Sequence, residues 1–234
     1  MTTDPQPTEM TEEERHVQYL MAPFISILDK VFRFNLPWEE WGFVIFRATA
    51  YGPDHEAEWQ RVRQRWDEIM DDLLAPLRGS DPRVDKAIDL IRFQWVEDPT
   101  LDGAEPAEIA ARYRQMSPSR GLDHSVCLAV TRPALESILE APLPSSAPRR
   151  ERAKIPFVVT VASFTGTLPP VDEEEDIAGQ DFKGYFNVAV EGLLDNFFPI
   201  IALDMRDLHV VAVRLRGEDI WCSSDRFGVH RVTE

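Results

Sequence analysis

Cysteine is scarce in this chain: two among 234 residues, Cys127 inside an apolar run and Cys222 near the C-terminus. Neither belongs to a Cys-x-x-Cys pair, and two thiols so placed exclude a disulfide framework, so a reducing, cytoplasmic home is expected. Histidine is sparse too. His16, His55, His124, His209 and His230 are scattered without metal-ligand spacing, and no metal site is expected. The chain has no Gly-x-Gly-x-x-Gly after a strand, no Gly-Lys-Ser/Thr phosphate loop, no His-Glu-x-x-His and no Gly-x-Ser-x-Gly elbow. Nucleotide and zinc-hydrolase chemistry lose their usual carriers, and no cofactor is expected. No apolar run approaches the roughly eighteen residues of a membrane span. Residues 1–14 are polar and acidic, unlike the basic-then-apolar order of a secretory signal. A soluble protein with no membrane partner follows as the expectation. Positive charge is outnumbered as well: 25 bases against 41 acids leave a formal charge of −16, which repels nucleic-acid backbones and leaves cationic or neutral partners open.

What is present suits one folded unit. A hydrophobic content of 44% is ordinary for a globular core, and the expectation is a disordered tail at 1–10 followed by a single α+β domain over 11–234. Val17, Leu20, Met21, Phe24, Ile25 and Leu28 recur at helical spacing. The run at 41–50 is apolar on consecutive residues, the mark of a strand covered on both faces. Trp59, Val62, Trp66, Ile69, Met70 and Leu73 then form the clearest helical stripe. Further strands are expected at 88–96, where alternation makes one side wet, and at 125–130, 155–164 and 182–190. Short helices are expected after Glu105-Pro106 and at 134–139, and a hairpin of 208–215 with 220–222 closes the chain. Segments near 141–154 and 165–181 read as mobile loops. The second contains the acid block 172–176, whose consecutive like charges prefer solvent, whereas a cation-binding loop alternates its ligands around a glycine. The fold class expected is α+β: a mainly antiparallel sheet with helices on one face, built from ferredoxin-like strand-helix-strand pieces.

One residue in the first strand does not fit an apolar layer. Alternation places Arg47 on the face of Phe43, Ile45, Thr49 and Tyr51, and a guanidinium stays charged at any ordinary pH. A buried cation needs a counter-charge from the protein or from a ligand. Glu97 continues the Phe93/Trp95 face of a later strand and is the natural protein partner, with Asp98 or Asp123 as substitutes. Arg47, Tyr51 and Asp98 are therefore the candidate catalytic residues: Arg47 would hold a carboxylate or enolate while Tyr51 or Asp98 moves a proton. Thr49, Glu97, Asp102 and His124 are the candidate binding residues, His124 because it follows Asp123 just before a strand. The same residues also make a closed internal ion cluster, and that alternative stands beside the catalytic one.

Several linked motifs resemble an uncharacterised family of intracellular proteins of ascomycete fungi. They are Trp41-Gly42-Phe43 with Arg47 and Tyr51-Gly52, then Trp59; Val96-Glu97-Asp98 with Leu101-Asp102-Gly103-Ala104; and the strand into Ala134-Leu135-Glu136-Ser137-Ile138-Leu139. The acid block 172–176 and Gly184-Tyr185-Phe186-Asn187-Val188 leading to Phe197-Phe198 continue the pattern. That pattern places Thr before Tyr-Gly, whereas here Ala50 stands there and Thr49 comes one residue earlier. The resemblance spans residues 38–205 and implies compartment and fold, with no activity to carry over. Two functions remain in view. The first is a non-enzymatic binding or interaction protein meeting a protein partner or a second copy of itself as a homodimer. The second is a cofactor-independent enzyme (isomerase, cyclase or lyase) taking a small apolar or anionic molecule around Arg47.

Overall fold

A strand buried on both faces needs a neighbour on each side and a layer above and below, and β1 (Trp41–Arg47) has all four. In the computed structural model, which describes residues 21–25, 39–163, 182–202, 205–225 and 228–232, every residue of β1 is buried. On one side it pairs in parallel with β2 (Ile91–Glu97), Trp41 opposite Ile91 and Arg47 opposite Glu97. On the other it pairs in parallel with β3 (Val126–Val130), which is likewise buried throughout. The sheet continues through β4 (Phe157–Ala162), β5 (Tyr185–Ala189), β6 (Ile220–Trp221) and β7 (Val229–His230), in the order β2-β1-β3-β4-β5-β6-β7. The β3/β4, β4/β5 and β6/β7 pairs are antiparallel, and β5/β6 is parallel.

The protein is α+β as expected, but its sheet is mixed rather than mainly antiparallel. The pieces that join β1 to β2 and β2 to β3 are parallel crossovers, the piece that joins β3 to β4 is antiparallel, and this strand order does not establish a ferredoxin-like unit. From β1 the chain passes through α1 (Pro53–Leu74) and α2 (Pro82–Asp89) to β2. From β2 it returns past β1 through α3 (Pro106–Arg114) to β3, and α4 (Arg132–Glu140) leads from β3 to β4. Crossovers that run in opposite directions keep one handedness only from opposite faces of the sheet. Accordingly, Phe43 and Ile45 pack in one core with Trp59, Val62 and Ile138, while Val44 and Phe46 pack in another with Ile109, Ala110 and Tyr113. Helices thus cover both faces, which corrects the expectation of one.

The helix α1 lies on β1 and β2 for the reason its stripe suggests. It buries Trp59, Val62, Trp66, Ile69, Met70 and Leu74, and each aliphatic member contributes roughly 1.5–3 kcal/mol by leaving water. Trp59 meets Trp95 edge-on with ring centres 5.6 Å apart, and Trp66 meets Phe93 at 5.0 Å and Trp95 at 5.2 Å. Two glycines make the approach and the turn possible. A side chain on Gly42, at φ 144, would lie 2.1 Å from the Arg92 carbonyl oxygen. Gly52, at φ 108, reverses the chain into Pro53, which starts α1.

Two local expectations are corrected. Residues 82–89 form α2 instead of leading straight into a strand: the Asp81 side chain accepts from the Arg83 amide at 2.8 Å, and Val84, Ala87 and Ile88 are buried at helical spacing. After the short helix α5 (Phe198–Ala202), residues 208–212 form the short helix α6 (Leu208–Ala212), not a hairpin strand. Leu208 and Val211 are buried while Val210 is exposed, a period of three where a strand needs two. The closing hairpin is therefore β6 with β7. Residues 141–154, expected as an exposed loop, contain two 3₁₀ turns. They are tied down by Ser145, whose amide donates to Asp72 at 2.8 Å, and by Arg65, which donates to the Ala141 carbonyl at 2.9 Å. The expected tail, most of the expected N-terminal helix and the 165–181 loop lie outside the described residues.

Candidate functional site

Parallel strands of an α/β layer present their carboxyl ends and the following loops on one edge, the usual position of a site. Here that edge carries Arg47 at the end of β1 and Glu97 at the end of β2. Arg47 is 2% exposed. Its NH1 donates to Glu97 Oε2 and to Glu56 Oε2, both at 3.1 Å, and its Nε donates to the Thr49 carbonyl at 3.3 Å. Its NH2 donates to the Ala50 carbonyl. The guanidinium lies 4.3 Å from the centre of the Tyr51 ring and 4.7 Å from that of Trp59, both attractive contacts for a cation.

This arrangement holds the chain in an unusual turn. Ala50 has φ 62, a left-handed conformation that costs an L residue roughly 1–2 kcal/mol. Both ends of its strained peptide are held. The Ala50 amide donates to Asp102 Oδ1 at 3.1 Å, its carbonyl accepts from Arg47, and Gly103 donates to the Ala48 carbonyl at 3.0 Å. The Tyr51 hydroxyl folds back to donate to the Arg47 carbonyl at 2.9 Å. Burial pushes the Tyr51 phenol up to about 12, with the Asp98 backbone and the nearby Arg47 charge only partly opposing it.

The acids at this edge are equally committed. Glu97 Oε1 accepts from Arg63 at 3.3 Å, and Arg63 itself lies 4.3 Å over the Trp95 ring. Asp98 caps the turn that follows β2, accepting from the Thr100 hydroxyl at 2.6 Å and the Thr100 amide at 3.1 Å, and Arg112 donates to its other oxygen at 3.3 Å. Those hydrogen bonds hold the Asp98 carboxyl below the usual range, Thr100 first and Arg112 after it. Glu56 is held low by Gln60 and then by Arg47.

Arg47, Thr49, Tyr51, Glu97, Asp98 and Asp102 thus gather on one edge, as the sequence led us to expect. His124 does not join them. Its Nε2 lies 3.0 Å from both the Gly42 and Gly121 carbonyls, and its ring packs against Phe43 and Phe198. That places it near the opposite end of β1, roughly 16 Å from Arg47 at about 3.3 Å per strand residue. Glu56, the second carboxylate on Arg47, was missed because in the sequence it reads as an acid placed for the dipole of α1. Arg112, which secures Asp98, carries no signal in the sequence beyond its place in α3.

Among the described residues, no group of three or more His, Cys, Asp or Glu could hold a metal ion, and no helix is long and apolar enough to cross a membrane. Chemically, the edge is a mixed-layer α+β scaffold closed by an arginine clasp. Comparison with protein-family models, with curated proteins and with solved structures found no match.

Proposed function

We propose that this chain is a non-enzymatic binding protein of the cytoplasm, belonging with the ascomycete proteins it resembles, and that the Arg47 cluster is its internal clasp. The observation that carries this reading is the commitment of Arg47: two carboxylates, two carbonyls and two aromatic rings already surround it. The alternative, a cofactor-independent isomerase, cyclase or lyase working at this cluster, needs a free acid or base. Tyr51 donates into the Arg47 carbonyl and stays protonated up to about pH 12, and Asp98 is engaged by Thr100 and Arg112.

The surface for a protein partner lies elsewhere. Val210 and Val213, on α6 and just after it, are 42% and 53% exposed, and Met205 and Val232 nearby in the chain's last segment are 60% and 49% exposed. Arg231 reaches the Arg214 carbonyl at 3.4 Å, which brings the C-terminal segment beside the turn that follows α6. Val210 and Val213 are three residues apart along a helical turn and so share a face, and exposed apolar side chains on one face suit association with another protein or with a second copy. A photo-cross-linking residue at position 213, compared with one at position 136 on α4, tests this in extract of the producing cell. A discrete adduct from position 213 only is expected, and its mass separates a self-adduct from a foreign partner. No adduct from position 213, together with a turnover that folded Tyr51→Phe abolishes, overturns the reading.

A further inference from the structure

The sheet ends on one side at β2, and nothing among the described residues pairs with its outer edge. Its bonds to β1 fix which way its polar groups point. The Leu90 carbonyl accepts from the Trp41 amide at 3.0 Å, and the Arg92 carbonyl is the group that Gly42 approaches. Alternation therefore turns Leu90, Arg92, Gln94 and Val96 toward β1 and leaves the amides and carbonyls of Ile91, Phe93, Trp95 and Glu97 facing outward. At seven residues β2 is as long as β1, and it contains neither proline nor lysine, which commonly keep an edge from pairing. Phe93, Trp95 and Val96 are only half-buried, although the neighbouring β1 is buried throughout.

This edge is complementary to itself when reversed. In an antiparallel pair of two copies with Gln94 on the two-fold axis, Ile91 stands opposite Glu97 of the second copy and Phe93 opposite Trp95 of the second copy. All four outward-facing residues of each strand are then met, with about eight hydrogen bonds in all. The exposed charges, Arg92 near the start of β2 and Glu97 at its end, are set apart from their own kind, whereas a parallel pair would place like against like. Moving the axis to Phe93 opposes Glu97 to Asp89, and moving it to Trp95 opposes Ile91 to Pro99, which has no amide. The helical layer agrees. Because α1 lies on β1 and β2, the axis repeats it two strand spacings away, at about 9.5 Å, within the roughly 8–10 Å of packed helices. One flank of α1 is already taken, Glu58 by Arg132 of α4, Arg65 by the Ala141 carbonyl and Asp72 by Ser145. The other flank, above β2, carries Arg63 over Trp95, followed at four-residue steps by Asp67 and Asp71. Trp66 stands over Phe93 and Trp95, so the axis passes near Asp67. Arg63 of each copy then comes beside Asp71 of the other, with the two Asp67 side chains face to face between these pairs.

We propose that the outer edge of β2 pairs antiparallel with β2 of a second copy about Gln94, joining two sheets into one and setting the two α1 helices side by side. Main-chain bonds supply the attraction, as in other edge-to-edge recognition, and the contact is the same patch on both copies, as two-fold symmetry requires. The half-exposed Phe93 and Trp95 become cross-strand neighbours, an aromatic pairing that adds to the main-chain bonds. This edge is at the opposite end of the sheet from β7 and its C-terminal segment, so the pairing stands apart from the surface at Val213.

Sedimentation of the full chain is the test, and a dimer is expected at about 100 μM. Gln94→Glu and Gln94→Lys each place like charges across the axis and weaken the dimer by about fivefold, while an equimolar mixture of the two variants restores it. Asp67→Asn removes the like charges that meet between the helices and tightens the dimer. Gln94→Cys sets two thiols across a closely spaced pair, with Cα atoms about 4.5 Å apart, within the reach of a disulfide; mild oxidation is expected to yield a covalent dimer, and the native thiols are buried and do not compete. Gln94 is partly exposed, so its variants are expected to fold, and the parent and Asp67→Asn decide the matter without them. A chain that stays monomeric at that concentration, a dimer that none of the Gln94 variants alters, or one that Asp67→Asn weakens overturns the proposal. A self-adduct from position 213 with no disulfide from position 94 overturns it too, and assigns self-association to α6.

Discussion

Replacing Arg47 by methionine measures the clasp directly, because methionine keeps the length of the apolar stem and removes only the fork. The Thr49 and Ala50 carbonyls, both buried, lose their donors, and each such loss costs about 1–3 kcal/mol. The ring contacts to Tyr51 and Trp59 contribute about 0.5–1 kcal/mol apiece. The carboxylates add little. Glu56 and Glu97 are 51% and 36% exposed, so water takes over from the guanidinium, and Glu97 keeps Arg63. Removing one member of a fully buried ion pair would be worse, because it strands a charge. Methionine recovers part of the loss through its own burial, and the net destabilisation is about 3 kcal/mol. Urea unfolding followed by tryptophan fluorescence reads this as a midpoint lowered by about 1 M at unchanged slope. Arg47→Lys keeps the charge without the planar fork and falls between parent and methionine variant. A methionine variant whose midpoint stays within about 0.3 M of the parent refutes the clasp and returns Arg47 to the list of ligand-binding residues.

Two other perturbations probe the same turn. Ala50→Gly relieves a left-handed residue at φ 62 of roughly 1–2 kcal/mol against an entropic cost of about 0.5–1 kcal/mol for glycine, so a gain of about 0.5–1 kcal/mol is expected, while Ala50→Val loses more than about 1 kcal/mol; the same urea titration checks both. Burial raises the phenols of Tyr51 and Tyr113 from 10.0 to about 12, so an ultraviolet alkaline titration should show these two tyrosines ionising late. Because the folded protein holds these protons more firmly than the unfolded chain, their stabilising effect is complete below about pH 10 and is lost as the pH rises through about 12.

The strongest inferences from the sequence concerned faces and pairs. Alternation along β1 put Arg47 on the side of Phe43 and Ile45, and continuity of the Phe93/Trp95 face nominated Glu97, which stands opposite Arg47 in the parallel register. Strand direction was misjudged although its signal was present. Unbroken apolar runs in β1 and β3 are what parallel central strands require, but the alternation in β2 and a supposed hairpin at 208–222 weighed toward an antiparallel sheet. In fact β2 alternates because it is the edge. The turn at Ala50 was not legible, since alanine gives no hint of a positive φ, and without that turn the two carbonyls held by Arg47 could not be foreseen. Glu56 became a partner only because Gly52 and Pro53 aim the first turn of α1 back over the strand.

The clustered indoles beneath α1 give the molecule an optical signature of its own. Trp59 and Trp66 both stand edge-on to Trp95, with centres within 5.6 Å, close enough for their electronic transitions to couple. The near-ultraviolet dichroism of the folded chain should therefore be dominated by this one contact between α1 and β2. A state in which the band has gone while the amide dichroism persists would be one whose longest helix has formed but has come away from the sheet.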